Sequence, residues 1–191
     1  HEGRHKGFSG KETSEFQGEI EVRNSEFGCR IWSPSMLLLV PKSDIRIPNS
    51  EISVMYRLAI VASEYNSVIM DRLIGGAMRA LKDQKEVGLI RVPGAFEIPL
   101  AVKRAALSKN YDGVVALGCV LRGETPHFEY ISGAVSNGLG QVALETGVPV
   151  GFGVLTVDTV QQAMDRSGES GNKGFEAAVA ALEMINVLRQ I

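Results

Sequence analysis

The segment Leu117-Gly-Cys-Val-Leu-Arg-Gly-Glu-Thr-Pro-His-Phe-Glu-Tyr130 sets a turn suited to an anion beside a side chain that can carry protons near neutrality. An apolar run leads into Gly123, Glu124 and Thr125, and Thr125 with Pro126 reads as the start of a helix. Threonine is a good N-cap, and proline at the first helical position gives up only an N–H that would have had no intrahelical partner. The free amides and positive dipole end of such a start favour a small anion, with His127 in the first turn beside it. The other histidines are His1 and His5, so imidazole chemistry in a folded domain falls to His127. A strand, a capped turn and a surface histidine also occur together without any function, so the other strand ends must be weighed with this one.

Three further strand ends carry residues that a core alone does not require. Ser63-Glu-Tyr-Asn66 offers an aromatic face, Tyr65, and an amide, Asn66. Val92-Pro-Gly-Ala-Phe-Glu-Ile-Pro99 offers close backbone approach at Gly94 and Ala95, and a carboxylate, Glu97, at a helix start. Gly151-Phe-Gly-Val-Leu-Thr-Val-Asp158 leads through Phe152 towards Arg166. Each has a plainer role: Tyr65 and Phe152 would suit a core, Glu97 would complement a helix dipole, Arg166 would cap helix carbonyls, and Lys173 would sit on a solvated face. Their shared address at strand ends argues for a joint site.

The elements that position these residues follow from periodicity. Short β-branched runs at Ile45 to Ile47, Arg57 to Ser63, Gly88 to Val92, Asp112 to Leu121 and Pro149 to Val157 read as strands, four of them apolar enough for burial on both faces. Between and after them, Ser67 to Gln84, Ala95 to Ser108, Pro126 to Thr146, Thr159 to Ser167 and Lys173 to Gln190 read as helices, with Ile69, Leu73, Ala77 and Leu81 marking one apolar face. The alternation predicts an α/β domain with a parallel sheet covered on both sides by right-handed crossovers, and ligands at the carboxyl ends of its strands.

Composition narrows the function classes. The chain has 191 residues, 45% hydrophobic, with a formal net charge of -2, which gives no electrostatic case for nucleic acid or an anionic membrane surface. Its longest apolar run near the start, Met36 to Val40, falls far short of the ~20 residues needed to span a bilayer. Cys29 and Cys119 make neither a disulfide framework nor a zinc set, and Cys119 reads as a small core residue, so a reducing, cytoplasmic compartment is expected. Residues 1 to 43 read as an appendage, a mobile or weakly attached tail with at most a short strand at Gln17 to Val22; residues 44–191 form the domain. Since the sequence does not begin with Met, the appendage is expected to derive from a longer precursor or from residues added for expression. A plastid transit peptide is the alternative, opposed by Glu2, Glu12, Glu15, Glu19, Glu21 and Glu26.

Several common chemistries are missing from the sequence. Gly151-Phe-Gly-Val-Leu-Thr156 lacks the third glycine of a dinucleotide fingerprint, and there is no phosphate loop, nucleophile elbow or metal-ligating histidine pair. Proton transfer and phosphate binding, without metal or nucleotide, remain.

From about Arg57 onward the chain resembles the 6,7-dimethyl-8-ribityllumazine synthase family of riboflavin biosynthesis. The resemblance rests on Ile60-Val-Ala-Ser-Glu-Tyr-Asn66, Val92 to Pro99, Gly118 to His127, Gly151 to Thr156 and Arg166-Ser-Gly-Glu-Ser-Gly-Asn-Lys-Gly174, in the family's order and spacing. It implies a flavodoxin-like three-layer sandwich and a transferase without cofactor. The implied reaction joins 5-amino-6-(D-ribitylamino)uracil to 3,4-dihydroxy-2-butanone 4-phosphate, releasing phosphate and water. Tyr65, where the family usually has Phe or Trp, would stack on the pyrimidine. Asn66, Gly94, Ala95 and Glu97 would bind the ring or its ribityl chain, and Val120, Leu121 and a neighbouring subunit's Phe152 would line the pocket. Gly123, Glu124 and Thr125, with a neighbour's Arg166, would hold phosphate; His127 would carry protons and Lys173 would support the site.

The resemblance also implies a homo-oligomer with shared sites: pentamers, with Ile45 to Ile47 pairing onto an adjacent sheet. The short Ser167 to Gly174 connection is similar to that of members building sixty-subunit icosahedral shells. Two alternatives stand beside the enzyme: a non-catalytic shell or scaffold, and a binding module for flavin-like or pterin-like ligands.

Overall fold

The computed structural model describes residues 55–191. The appendage, Cys29 and the expected strands at Gln17 to Val22 and Ile45 to Ile47 lie outside the described residues. Within them, four strands alternate with helices: β1 (Arg57–Ser63), α1 (Ser67–Ala80), β2 (Glu86–Val92), α2 (Ile98–Leu107), β3 (Gly113–Leu121), α3 (His127–Thr146), β4 (Val150–Val157), α4 (Val160–Arg166) and α5 (Lys173–Leu188). A short 3-10 turn, Ala95–Glu97, precedes α2.

All strand pairs are parallel and the order is β2-β1-β3-β4. Alternate side chains of β1 and β3 point to opposite faces and so feed two cores. On one face Leu58, Ile60, Val115 and Leu117 pack with Met70 and Leu73 of α1 and Ala177, Ala181 and Ile185 of α5. On the other, Ala59, Val61, Val114 and Ala116 pack with Ile98 and Val102 of α2 and Val135 and Leu139 of α3. Three layers result, the flavodoxin-like arrangement. The chain leaves β1 towards β2 over one face and returns past β1 to β3 over the other, so the strand order reverses between β1 and β3. Ligands of doubly wound sheets bind at that switch point.

Two expectations need correcting. Four strands were expected to be buried on both faces, but among the described residues only the central β1 and β3 are; β2 and β4 are the edges of the described sheet, with Leu89 and Phe152 exposed. An apolar edge strand reads like an interior one, because sequence alone does not say how many neighbours it has. Helix α3 starts one residue later than the Thr125 cap predicts. Pro126 stands at the cap with ψ of 2°, and its carbonyl accepts from Glu129 and Tyr130. Thr125 makes no capping bond there, so the helix start is one of bare amides. At its other end α3 closes on Gly147, whose φ of 66° is left-handed and suits glycine.

Candidate functional site

β1 ends at Ser63, and the chain then turns through Asn66 with φ 62° and ψ 49°, a left-handed conformation that asparagine tolerates better than most residues. β1 pairs with β3 only as far as Ala62 opposite Leu117. Cys119 lies two residues beyond, and its carbonyl accepts from the Asn66 side-chain amide at 3.1 Å. One side chain thus replaces the missing ladder bond across the switch point. Beside it, Gly94 is extended and has no side chain; a Cβ there would meet the Glu97 carboxylate at 3.1 Å. Glycine lets the 3-10 turn bring Glu97 close to the backbone.

These turns enclose a cavity of about 570 Å³ lined by Tyr65, Asn66, Gly94, Ala95, Phe96, Glu97, Cys119, Val120, Leu121, His127 and Ile131. Eight expected residues meet there: Tyr65, Asn66, Gly94, Ala95, Glu97, Val120, Leu121 and His127. Tyr65 is 74% exposed, so it is no core aromatic, and its ring is free to face a planar ligand. Phe96, Cys119 and Ile131 line the cavity as well, without having been expected there. Phe96 lies within a motif already singled out, and its exposure beside Glu97 is the signal for it; Ile131 needs the helical register of α3 to be placed one turn after His127. Burial pushes the Cys119 thiol up to about 11, so this sulfur is a protonated wall atom rather than a nucleophile.

The cavity carries one carboxylate and one imidazole but neither arginine nor lysine among the described residues. Gly123, Glu124 and Thr125 follow β3 at its rim, exposed, and their N–H groups have no hydrogen-bond partner among the described residues. The structure does not bring Phe152, Arg166 and Lys173 to this cavity. Phe152 is half-exposed on the edge strand β4, where a core position is ruled out. Arg166 ends α4 and donates to the Gln162 carbonyl at 3.1 Å, and Lys173 opens α5 with its Nζ 2.5 Å from Glu176. Thr159 and Gln162 form the reciprocal cap that begins α4, and Asn172 caps α5 through Gly174 and Phe175, so the segment carrying Arg166 and Lys173 is firmly built.

Arg122, between β3 and the anion-suited turn, is a polar centre of its own. It donates from Nε to Asp158 at 2.6 Å, pairs through Nη1 with Glu129, and lies 4.2 Å from the Phe128 ring centre. The Arg122 hydrogen bond holds the Glu129 carboxyl below the usual carboxylate range.

Comparison with known proteins shows the family. The description of 6,7-dimethyl-8-ribityllumazine synthase as a family matches residues 55–189, the whole layered domain apart from its last residues. Proteins named 6,7-dimethyl-8-ribityllumazine synthase from two strains of Nitratidesulfovibrio vulgaris, DP4 and Hildenborough, are each 51% identical over 140 residues, covering 71% of this chain and 90% of the relative. The matched span contains every strand end described above, and the chain belongs to the 6,7-dimethyl-8-ribityllumazine synthase family.

Proposed function

We propose that the protein is the transferase that condenses 5-amino-6-(D-ribitylamino)uracil with 3,4-dihydroxy-2-butanone 4-phosphate to the lumazine, and that the switch-point cavity is its site. The observation that carries this is the meeting of eight motif residues from separate strand ends in one cavity of a chain of this family. Tyr65 stacks on the pyrimidine, with Val120 and Leu121 behind it. Asn66, the backbone of Gly94 and Ala95, and Glu97 bind the ring polar groups and the ribityl hydroxyls. The phosphate sits on the N–H groups of Gly123, Glu124 and Thr125; Glu124 contributes its backbone, since its own carboxylate would repel the anion.

An amine and a ketone react readily once aligned, so most of the rate comes from holding the two substrates together. His127 manages protons as the amine attacks the ketone and water leaves to give the imine, as phosphate is eliminated, and as the ribitylamino nitrogen adds to the remaining carbonyl and a second water leaves to close the ring. The cavity lining gives the phosphate no cation, and Arg122 beside the turn is already paired with Glu129 and Asp158, so the anion site of one copy is incomplete. That supports completion of the site by a second copy, bringing Arg166, Phe152 and, in support, Lys173. The same reading gives pentamers, with an icosahedral shell favoured by the short α4–α5 connection. It places the protein in a reducing, cytoplasmic compartment. No helix among the described residues is long and apolar enough to cross a membrane.

The test is lumazine formation, followed by absorbance and fluorescence after mixing the protein with both substrates. Product above the uncatalysed background, lost in Arg166→Ala at low butanone phosphate, is expected. Background-level product from the assembled protein would refute the enzyme and favour a scaffold, and Arg166→Ala with full turnover would remove that residue from the phosphate site.

A further inference from the structure

We propose that Arg122 is a positioning residue that clamps the Gly123–Thr125 turn into its anion-binding shape; the inference rests on the phosphate assignment above. Arg122 is the last residue before the turn, while Phe128 and Glu129 are the first residues after His127. One guanidinium therefore closes both ends of the turn: its central carbon lies over the Phe128 ring, Nη1 holds Glu129, and Nε holds Asp158 at the end of β4. The Arg122 backbone N–H adds a bond to the Val157 carbonyl at 2.9 Å, fixing the same residue to the sheet.

Fold stability does not account for this cluster. The side chains of Arg122, Glu129 and Asp158 are 44%, 54% and 61% exposed, and exposed pairs contribute little. What the clamp acts on is the turn. Gly123 has wide backbone freedom, and the N–H groups of Gly123, Glu124 and Thr125 have no hydrogen-bond partner among the described residues. A turn pinned at both ends loses less entropy when an anion orders it, so the clamp appears in affinity rather than in melting. Arg122 does not serve as a direct phosphate ligand, because two carboxylates already outweigh its single charge. Its planar fork is essential, since a lysine ammonium reproduces the charge but not two directed bonds and a stacked face.

The experiment compares the full-length parent with Arg122→Gln, Arg122→Lys and Asp158→Asn. Lumazine kinetics give KM for each substrate, and calorimetry gives Kd for inorganic phosphate. Clamping predicts that all three variants raise both KM for butanone phosphate and Kd for phosphate by about tenfold. KM for the ribitylaminouracil should stay within about twofold, and melting should shift by only a few degrees. Direct ligation predicts the opposite sign for Asp158→Asn, which would free the guanidinium and tighten phosphate; that result overturns the proposal. So does Arg122→Lys at parent affinity, or a uniform loss in both substrates accompanied by a large fall in melting temperature. A parent that forms no lumazine yet binds phosphate refutes the reaction assignment alone, and the phosphate Kd values then decide the clamp. A parent that binds no phosphate overturns the phosphate assignment and the clamp with it, and lumazine formation then decides the reaction by itself.

Discussion

Replacing Asn66 tests whether one amide really holds the switch point together. Its side chain meets the Cys119 carbonyl at 3.1 Å where β1 no longer pairs with β3, and its backbone is left-handed at φ 62°. Asn66→Ala removes the bond, worth ~1 kcal/mol, and places a Cβ residue in a conformation costing ~1 kcal/mol, for a total of ~2 kcal/mol. Asn66→Gly removes the same bond but relieves the backbone, so it should cost ~1 kcal/mol after allowing for glycine's greater unfolded-state freedom. With a urea dependence of ~2 kcal/mol per molar, the unfolding midpoints should fall by ~1 M for alanine and ~0.5 M for glycine. Lumazine formation should fall in both variants, because the amide also borders the cavity. At an ordinary helix position glycine is the worse substitute. Equal midpoints, or glycine below alanine, would therefore refute the argument from left-handed backbone and local bonding.

Other expectations follow from packing and titration. Gly174→Ala would drive a methyl into the Leu73 carbonyl where α5 crosses α1, and should cost more than ~2 kcal/mol by thermal melting. Gly140→Ala, in α3 with nothing within 4 Å of the added atom, should instead gain ~0.5–1 kcal/mol. The buried Cys119 thiol keeps its proton to about 11 against an ordinary 9.0. Its contribution to stability is therefore whole below about pH 9 and falls by ~1.4 kcal/mol per pH unit up to about 11. Cys119→Ala should flatten that part of the alkaline decline, and at pH 8 Cys119 of the parent, read by peptide mapping, should resist iodoacetamide until the domain is unfolded. His127→Ala should lower kcat by only ~10-fold, or ~1.4 kcal/mol, if orientation supplies most of the rate; a loss beyond ~1000-fold would make proton transfer dominant.

The sequence was most legible where local periodicity and tertiary burial agree. Arg57–Ser63 and Gly113–Leu121 are central strands with nearly unbroken apolar runs, and Ser67 opens a helix whose Ile69, Leu73 and Ala77 all reach the core. The motif at each strand end was readable because parallel topology sends those ends to one rim. Edge exposure was hidden because Leu89 and Phe152 sit in runs as apolar as those of interior strands. The start of α3 was displaced because Thr125 has a capping side chain but Pro126 provides the carbonyl that the helix uses. The Arg122 cluster was invisible for a different reason: Asp158 lies 36 residues away and comes into reach only when β4 pairs with β3.

The central claim is that turnover occurs in the switch-point cavity and needs a second copy of the chain to supply the cation. Lumazine formation by co-assembled Glu97→Ala and Arg166→Ala chains tests this most directly, because each variant spoils the site to which it gives its altered residue and still completes the site on its other side. Random co-assembly should restore about one quarter of the parent rate, from interfaces that join an intact Glu97 side to an intact Arg166 side. A rate no higher than that of either variant alone would contradict the shared site.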